Sequence, residues 1–278
     1  MNTALLYYTN NLLPSPLLNE SLSRVFDMAL ENDCSVMVSS HYPVTSHYVD
    51  ISDDPFLALS REGGFEFNEL IDQVLASEKC ERDNVDAVVT GRLAYSPATI
   101  IRQIIDMLRR TDCDKVLLME HDVFYPPNYV ADMSAALDDN EFALYDNYVF
   151  IDSEGFFGTD TNFRHLSRYG ARCDALEDFF VTKLEDDRFA ILEPVLMQFF
   201  SGDPDEDLVK GTVIDGPPVL DIKHGANATG QIIVGDHSLM NSEWGFHPHY
   251  GYLFDDPIYD AFLSTDPTLG YGLFRLVL

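Results

Sequence analysis

A chain of 278 residues in which 46 % are hydrophobic can bury a sizeable core, which excludes general disorder and favours one large α/β domain or one domain with a small appendage. Forty-seven acidic residues stand against seventeen basic ones, a formal net charge of −30 spread along the chain, which excludes a single acidic tail as its source. Such a surface repels itself at low ionic strength but not in about 1 M salt, where the Debye length is only about 3 Å, so the composition reads as adapted to high salt, with an ordinary acidic cytoplasmic protein as the alternative. The N-terminus has no basic n-region, and no apolar run approaches the roughly 20 residues that span a bilayer, so a cytoplasmic location without membrane contact is expected. Cys34, Cys80, Cys113 and Cys173 form no Cys-x-x-Cys pair and read as reduced thiols, neither a zinc site nor a disulfide framework.

In chain order, Thr3 to Tyr8 is a first strand closed by the loop Thr9-Asn10-Asn11. Pro14 and Pro16 lead into a helix over Leu17 to Leu30, and Ser35 to Val38 is a second strand, so the chain opens as a right-handed parallel βαβ unit. No Gly-x-Gly-x-x-Gly and no Walker pattern follows the first strand, which disfavours a dinucleotide or P-loop site. Residues 44 to 64 read as a long polar loop, Phe67 to Ser77 as a helix and Val85 to Val89 as a third strand with Gly91-Arg92 at its tip. Ser96-Pro97 then caps a helix whose stripe is Ile100, Ile101, Ile104, Ile105 and Leu108.

That helix delivers the chain to Lys115-Val116-Leu117-Leu118-Met119-Glu120-His121-Asp122, a short strand buried on both faces with an acidic end. Strand residues two apart share a face, and ligands of open parallel sheets collect outside the carboxyl ends of the strands. Glu120 and Asp122 therefore form an oxygen-rich corner suited to Mg2+ or Mn2+, which take one or two carboxylates and complete their shell with water and phosphate. The alternative is that His121 and Asp122 merely turn the chain and cap a helix.

Beyond it, Pro127 to Leu137 reads as a helix, and 141–145 and 148–151 as a strand pair flanking Asp146-Asn147. Arg164, Arg168 and Arg172 recur every four residues and would form one stripe on a helix, either a solvated face or a basic contact. Val219 to Lys223 is a late strand, and the part after it is rich in Tyr, Phe, Pro and Gly without periodicity. The expected fold is α/β: a mostly parallel central sheet with flanking helices, Rossmann-like in layout, and an irregular C-terminal part.

Four blocks occur in order: Tyr7-Tyr8-Thr9-Asn10-Asn11, Gly91-Arg92, Met119 to Tyr125, and Asp221-Ile222-Lys223-His224-Gly225-Ala226-Asn227-Ala228-Thr229-Gly230. Together they resemble glycosyltransferases of the GT-A fold, similar to the viral and phage enzymes that glycosylate hydroxymethylated pyrimidines in DNA. The resemblance implies a single GT-A-like domain over 1–278, with residues 1–125 as the nucleotide-sugar half and 126–278 as the acceptor half. It implies a divalent metal held by Asp122 and His224 with Glu120 in support, although Glu120-His121-Asp122 stands where the family has Asp-x-Asp. It implies a nucleotide-sugar donor, a UDP-sugar by preference, met by Tyr8, Thr9, Asn10, Arg92, Glu120 and Asp122. A viral protein of this kind would act in its host's cytoplasm.

An inverting transfer also needs a base for the acceptor hydroxyl. Asp178, in an acidic pair taken as a helix start before Phe179-Phe180, is the candidate, with Glu243 beside Trp244 as its rival. Arg164, Arg168 and Arg172 would contact a DNA acceptor. A polysaccharide, lipid or small-molecule acceptor is the alternative, and a glycoside hydrolase or a non-catalytic nucleotide- or sugar-binding module are the alternatives in other classes.

Overall fold

The computed structural model describes residues 2–9, 15–58, 85–91, 93, 97–145, 148–152, 157–158, 166–186, 211–216 and 219–223. The first half runs β1 (Thr3–Thr9), α1 (Ser15–Glu31), β2 (Ser35–Ser40), β3 (Val49–Asp50), α2 (Pro55–Ala58), β4 (Val85–Val89), α3 (Pro97–Arg110), β5 (Lys115–Glu120) and β6 (Val123–Phe124). The second runs α4 (Tyr129–Ala136), β7 (Phe142–Tyr145), β8 (Tyr148–Asp152), β9 (Phe157–Gly158), a 3-10 turn (Leu166–Arg168), β10 (Tyr169–Arg172), α5 (Cys173–Asp186), β11 (Gly211–Ile214) and β12 (Val219–Lys223).

All seven residues of β1 are buried, as a strand must be when both its faces are covered. It lies between β2 and β5, parallel to both, and the eight-stranded sheet runs β11-β7-β10-β5-β1-β2-β4-β3. Only β10 is antiparallel to its neighbours, β5 and β7, so the protein is α/β with a mixed, mostly parallel sheet. The pleat sorts the core into two layers. Leu5, Tyr7, Leu117 and Met119 pack with Leu22, Val25 and Phe26 of α1 and Val130 and Met133 of α4. Ala4, Leu6, Tyr8, Val116 and Leu118 pack on the opposite face with Ile101, Ile104, Ile105 and Leu108 of α3 and Leu176 and Phe180 of α5. The isoleucine stripe expected on α3 is thus its buried side, and Arg109 and Arg110 complement the carbonyl end of that helix. No helix among the described residues is long and apolar enough to cross a membrane.

A second sheet, β6-β12-β8-β9, carries the remaining strands. The strand pair expected over 141–151 does not form. β7 pairs with β10 and β11 in the large sheet, whereas β8 pairs with β12 and β9 in the small one. Both edges of β7 are occupied, and both of its faces are buried, with Phe142 and Leu144 in one layer and Ala143 and Tyr145 in the other. No edge is left for β8. Within the expected loop 44–64, Val49–Asp50 pairs with β4 and Pro55–Ala58 is a short helix, while the helix expected over Phe67 to Ser77 lies outside the described residues.

Candidate active site at the carboxyl ends of β1 and β5

From β1 the chain crosses to β2 on one side, and it later returns to lay β5 on the other, so the strand order reverses between β1 and β5. The crevice outside the carboxyl ends of two such strands is where open α/β sheets bind ligands. Register places Tyr8 opposite Glu120 at that point, and the Tyr8 phenol donates to Glu120 Oε1 at 2.5 Å. Burial first, and then the Glu120 carboxylate, push the Tyr8 phenol well above its ordinary value, so it remains a donor; Tyr125 and Asp122 add to the shift.

Beyond Glu120 the strand ends, and His121-Asp122 is a turn into β6. The two carboxylates therefore do not share a strand face by simple alternation, but Asp122 lies close enough to raise both Tyr8 and Tyr125 electrostatically and is largely buried, at 9 % exposure. Tyr125 fixes the turn. Its hydroxyl accepts the Glu120 backbone N–H at 3.0 Å and reaches the Leu118 carbonyl at 3.5 Å, where β10, whose register with β5 ends at Gly170 opposite Leu117, offers no partner. Tyr125 stacks at 4.6 Å on Tyr129, which stacks at 5.2 Å on Tyr145, and the Tyr129 hydroxyl donates to the Ser167 carbonyl in the 3-10 turn.

On the far side of the turn, β12 pairs antiparallel with β6, Asp221 opposite Val123, so β12 runs toward His121-Asp122 and buries the Asp221 carboxylate one pair away from Asp122. Its last residue is Lys223. His224, the expected metal ligand, lies outside the described residues, as do Asn10, Arg92, Arg164 and Glu243. Among the described residues, no three His, Cys, Asp or Glu side chains are grouped to hold a metal ion. Glu120 and Asp122 supply two carboxylates, which fits the chemistry of Mg2+ or Mn2+ with further ligands from solvent, substrate or later chain.

Three sequence expectations are corrected. Arg168 and Arg172 share no helix. Arg168 ends the 3-10 turn, 2 % exposed, and Arg172 ends β10 beside Lys115 at the opposite edge of the sheet. The four-residue spacing fails because Tyr169-Gly170-Ala171 threads between β5 and β7, where a Cβ on Gly170 would come within 2.6 Å of Leu117. Arg168 instead places a buried cation near Tyr129, whose phenol is raised by burial and by Tyr145, lowered by Arg168 and raised again by Glu120. Asp178 is also not at a helix start. The helix begins at Cys173, whose N–H meets the Asp114 carbonyl just before β5, and Glu177 pairs with Arg109 of the last turn of α3 at 2.8 Å. Asp178 is exposed in the interior of α5, one residue after Glu177. Thr9, finally, is buried in the ladder opposite Ser40 and does not line an open loop.

Tyr125, Tyr129, Arg168 and Asp221 were not read from the sequence as parts of this corner. The first two carried a signal, two tyrosines following Asp122 closely in the sequence, whereas the others depend on pairing across long separations.

Neither a protein-family model nor a curated protein matches the chain. Among solved structures it is similar to a putative nucleotide-diphospho-sugar transferase from Desulfovibrio desulfuricans, at 12 % identity over 100 % of this chain and 99 % of that one, with a TM-score of 0.43. It is similar to the 2-C-methyl-D-erythritol 4-phosphate cytidylyltransferase of Thermus thermophilus, at 14 % identity over 82 % and 96 % of the chains, with a TM-score of 0.44. A third is the 4-diphosphocytidyl-2C-methyl-D-erythritol synthase of Anaerococcus prevotii, at 13 % identity over 77 % and 89 %, with a TM-score of 0.43. At such identities and scores, the functional reading stands on the chain's own residues.

Proposed function

We propose that the protein is a metal-dependent glycosyltransferase that moves a sugar from a nucleotide-sugar donor, a UDP-sugar by preference, to a hydroxyl, and that the acceptor is a 5-hydroxymethylpyrimidine in DNA. The observation that supports this reading is the hydrogen-bonded Tyr8–Glu120 pair beside Asp122 at the point where the strand order reverses. The ordered resemblance of the four sequence blocks supplies the reaction class.

Asp122 and Glu120 would hold Mn2+ or Mg2+ together with His224, which follows directly on the strand that runs toward the Asp122 turn. Such an ion, when bound, neutralises the departing diphosphate as a Lewis acid. Tyr8 orients Glu120 by its donated hydrogen bond, and Tyr125 holds the backbone beneath it. Asn10 and Arg92, which follow β1 and β4 in the sequence, would meet the nucleoside and phosphates, Arg92 by charge-assisted bonding. Arg164 would serve the acceptor phosphates and Arg168 would act from inside by its charge, whereas Arg172, beside Lys115 at the other end of the strands, takes no part. Asp178 and its rival Glu243 are the two candidate bases to test.

The test is calorimetric titration of UDP with and without Mn2+, followed by a sugar-nucleotide panel offered with DNA containing hydroxymethylcytosine or hydroxymethyluracil and read by nucleoside mass. Manganese-dependent UDP binding and a hexose or pentose increment are expected. Asp122→Ala should lower transfer by about 10²-fold or more, since metal assistance is worth several kcal/mol and each 1.4 kcal/mol is about tenfold. Binding indifferent to Mn2+, or transfer surviving EDTA, would overturn metal dependence, and transfer to a free sugar or lipid but to neither DNA would overturn the acceptor.

A further inference from the structure

Cys113 and Cys173, 60 positions apart, meet with their sulfurs 2.7 Å from each other. Both are half-buried thiols at the amino ends of the strands, the opposite edge of the sheet from Glu120. Their backbones are held together: the Cys173 N–H donates to the Asp114 carbonyl at 3.0 Å, Arg172 pairs with Lys115, and the Arg172 N–H donates to the Glu141 carbonyl at 2.8 Å. A disulfide needs Cα atoms about 4.4–6.8 Å apart with Cβ atoms facing each other, and two thiols already in contact across a paired ladder meet that demand with little backbone movement.

We propose that Cys113 and Cys173 form a reversible disulfide by exchange with a low-molecular-weight disulfide, so that the chain carries a redox site independent of the acidic corner. The Cys173 thiol is raised, first by its hydrogen bond with Cys113 and then by burial, so it keeps its proton while Cys113 attacks. The Cys113 thiolate displaces one thiolate from the small disulfide and leaves a mixed disulfide. Relieved of its hydrogen bond, Cys173 loses its proton to the departing thiolate and displaces the second half, which leaves as a thiol after protonation by solvent. Two protein thiols are oxidised, one small disulfide is reduced to two thiols, and the balance closes. The bond encloses β5, the His121-Asp122 turn and every element through β10, tying the segment that carries the acidic corner into one loop.

The folded chain is incubated with oxidised glutathione or with dithiothreitol, alkylated and digested with trypsin. Cleavage after Arg110, Lys115, Arg172 and Lys183 makes the expected product a single linked pair, Thr111–Lys115 joined to Cys173–Lys183, lost again on reduction. The unfolding midpoint of the oxidised chain should lie higher by about 5–10 °C, the scale for cross-linking a loop of this length. In Cys173→Ser, Cys113 should stop at the glutathione adduct. Full alkylation of both cysteines after oxidation, separate glutathione adducts on each in the unsubstituted chain, or a link to Cys34 or Cys80 would each overturn the proposal.

Discussion

Replacing Tyr8 by Phe removes one oxygen from the centre of the candidate site and nothing from the hydrophobic core around it. The ring stays among Leu6, Leu118 and the α3 isoleucines, whereas the 2.5 Å hydrogen bond to Glu120 is lost. A bond to a charged acceptor is worth about 1.5–3 kcal/mol, but Glu120 is only partly buried and water can replace the phenol, so the lower end applies, about 1.5 kcal/mol. In a domain of this size that lowers the thermal midpoint by about 2–3 °C. Tyr125→Phe is the informative comparison. Its hydroxyl satisfies the backbone N–H of Glu120 and reaches the Leu118 carbonyl in a fully buried position, so its loss leaves main-chain groups without a partner and should cost about 2–3 kcal/mol. Thermal and urea unfolding of the two variants, run in the same high-salt buffer, give the order directly. A Tyr8→Phe midpoint within 1 °C of the parent, or a larger loss for Tyr8→Phe than for Tyr125→Phe, would refute this account of how the strand end is held.

Alkali should unfold the protein in a steep step. Tyr8, Tyr125, Tyr129 and Tyr145 all have phenols raised by burial above the ordinary value near 10, so the folded state keeps protons that the unfolded chain gives up. Their contribution is complete below about pH 10 and falls as pH rises from there toward the folded values, by about 1.4 kcal/mol per pH unit for each phenol and about 5 for the four together. Tyrosinate absorbance followed beside circular dichroism tests this, and ionisation of all 14 tyrosines with the dichroism unchanged would contradict it. Gly170→Ala should overpack the core, because the added carbon meets Leu117 at 2.6 Å and Met133 at 2.9 Å, a cost of about 1–3 kcal/mol read as a lower urea midpoint at unchanged slope; an unchanged midpoint would show that the two side chains can give way.

Local signals sufficed for the parallel part of the fold. β1, β2, β4, β5 and β12 and the helices α1, α3 and α4 stand within a few residues of where apolar runs, helical spacing and prolines put them, since each buries a face that its own segment already declares. The segments that defeated local reading are those whose partners arrive from far along the chain. Nothing in 141–151 says that β7 takes β10 and β11 while β8 takes β12 and β9, because two short apolar runs around a polar dipeptide look like a hairpin whichever sheet each enters. The arginines at 168 and 172 gave helical spacing to a stretch that the sheet takes as strand, where pairing on both sides of Tyr169–Ala171 outweighs any preference carried by four-residue repeats.

The acidic corner was legible in its acids and not in what holds them. A strand ending in two carboxylates can be read from a dozen residues, but their arrangement by alternation cannot survive the end of the strand, and the chain turns at His121. What replaces alternation is a set of tyrosines reaching back to main-chain groups and a late strand that sets Asp221 beside the turn. Burying two carboxylates and an arginine beside the partly buried Glu120 is costly unless each is hydrogen-bonded or paired. Tyr8 meets that cost for Glu120, because a phenol is a neutral donor to a carboxylate and its ring belongs to the core, so one side chain serves both Glu120 and the α3 layer. A protein of charge −30 can therefore keep an acid at the mouth of its central crevice with a phenol and not a lysine as its partner, and the carboxylates of Glu120 and Asp122 keep the oxygen chemistry that suits a divalent cation.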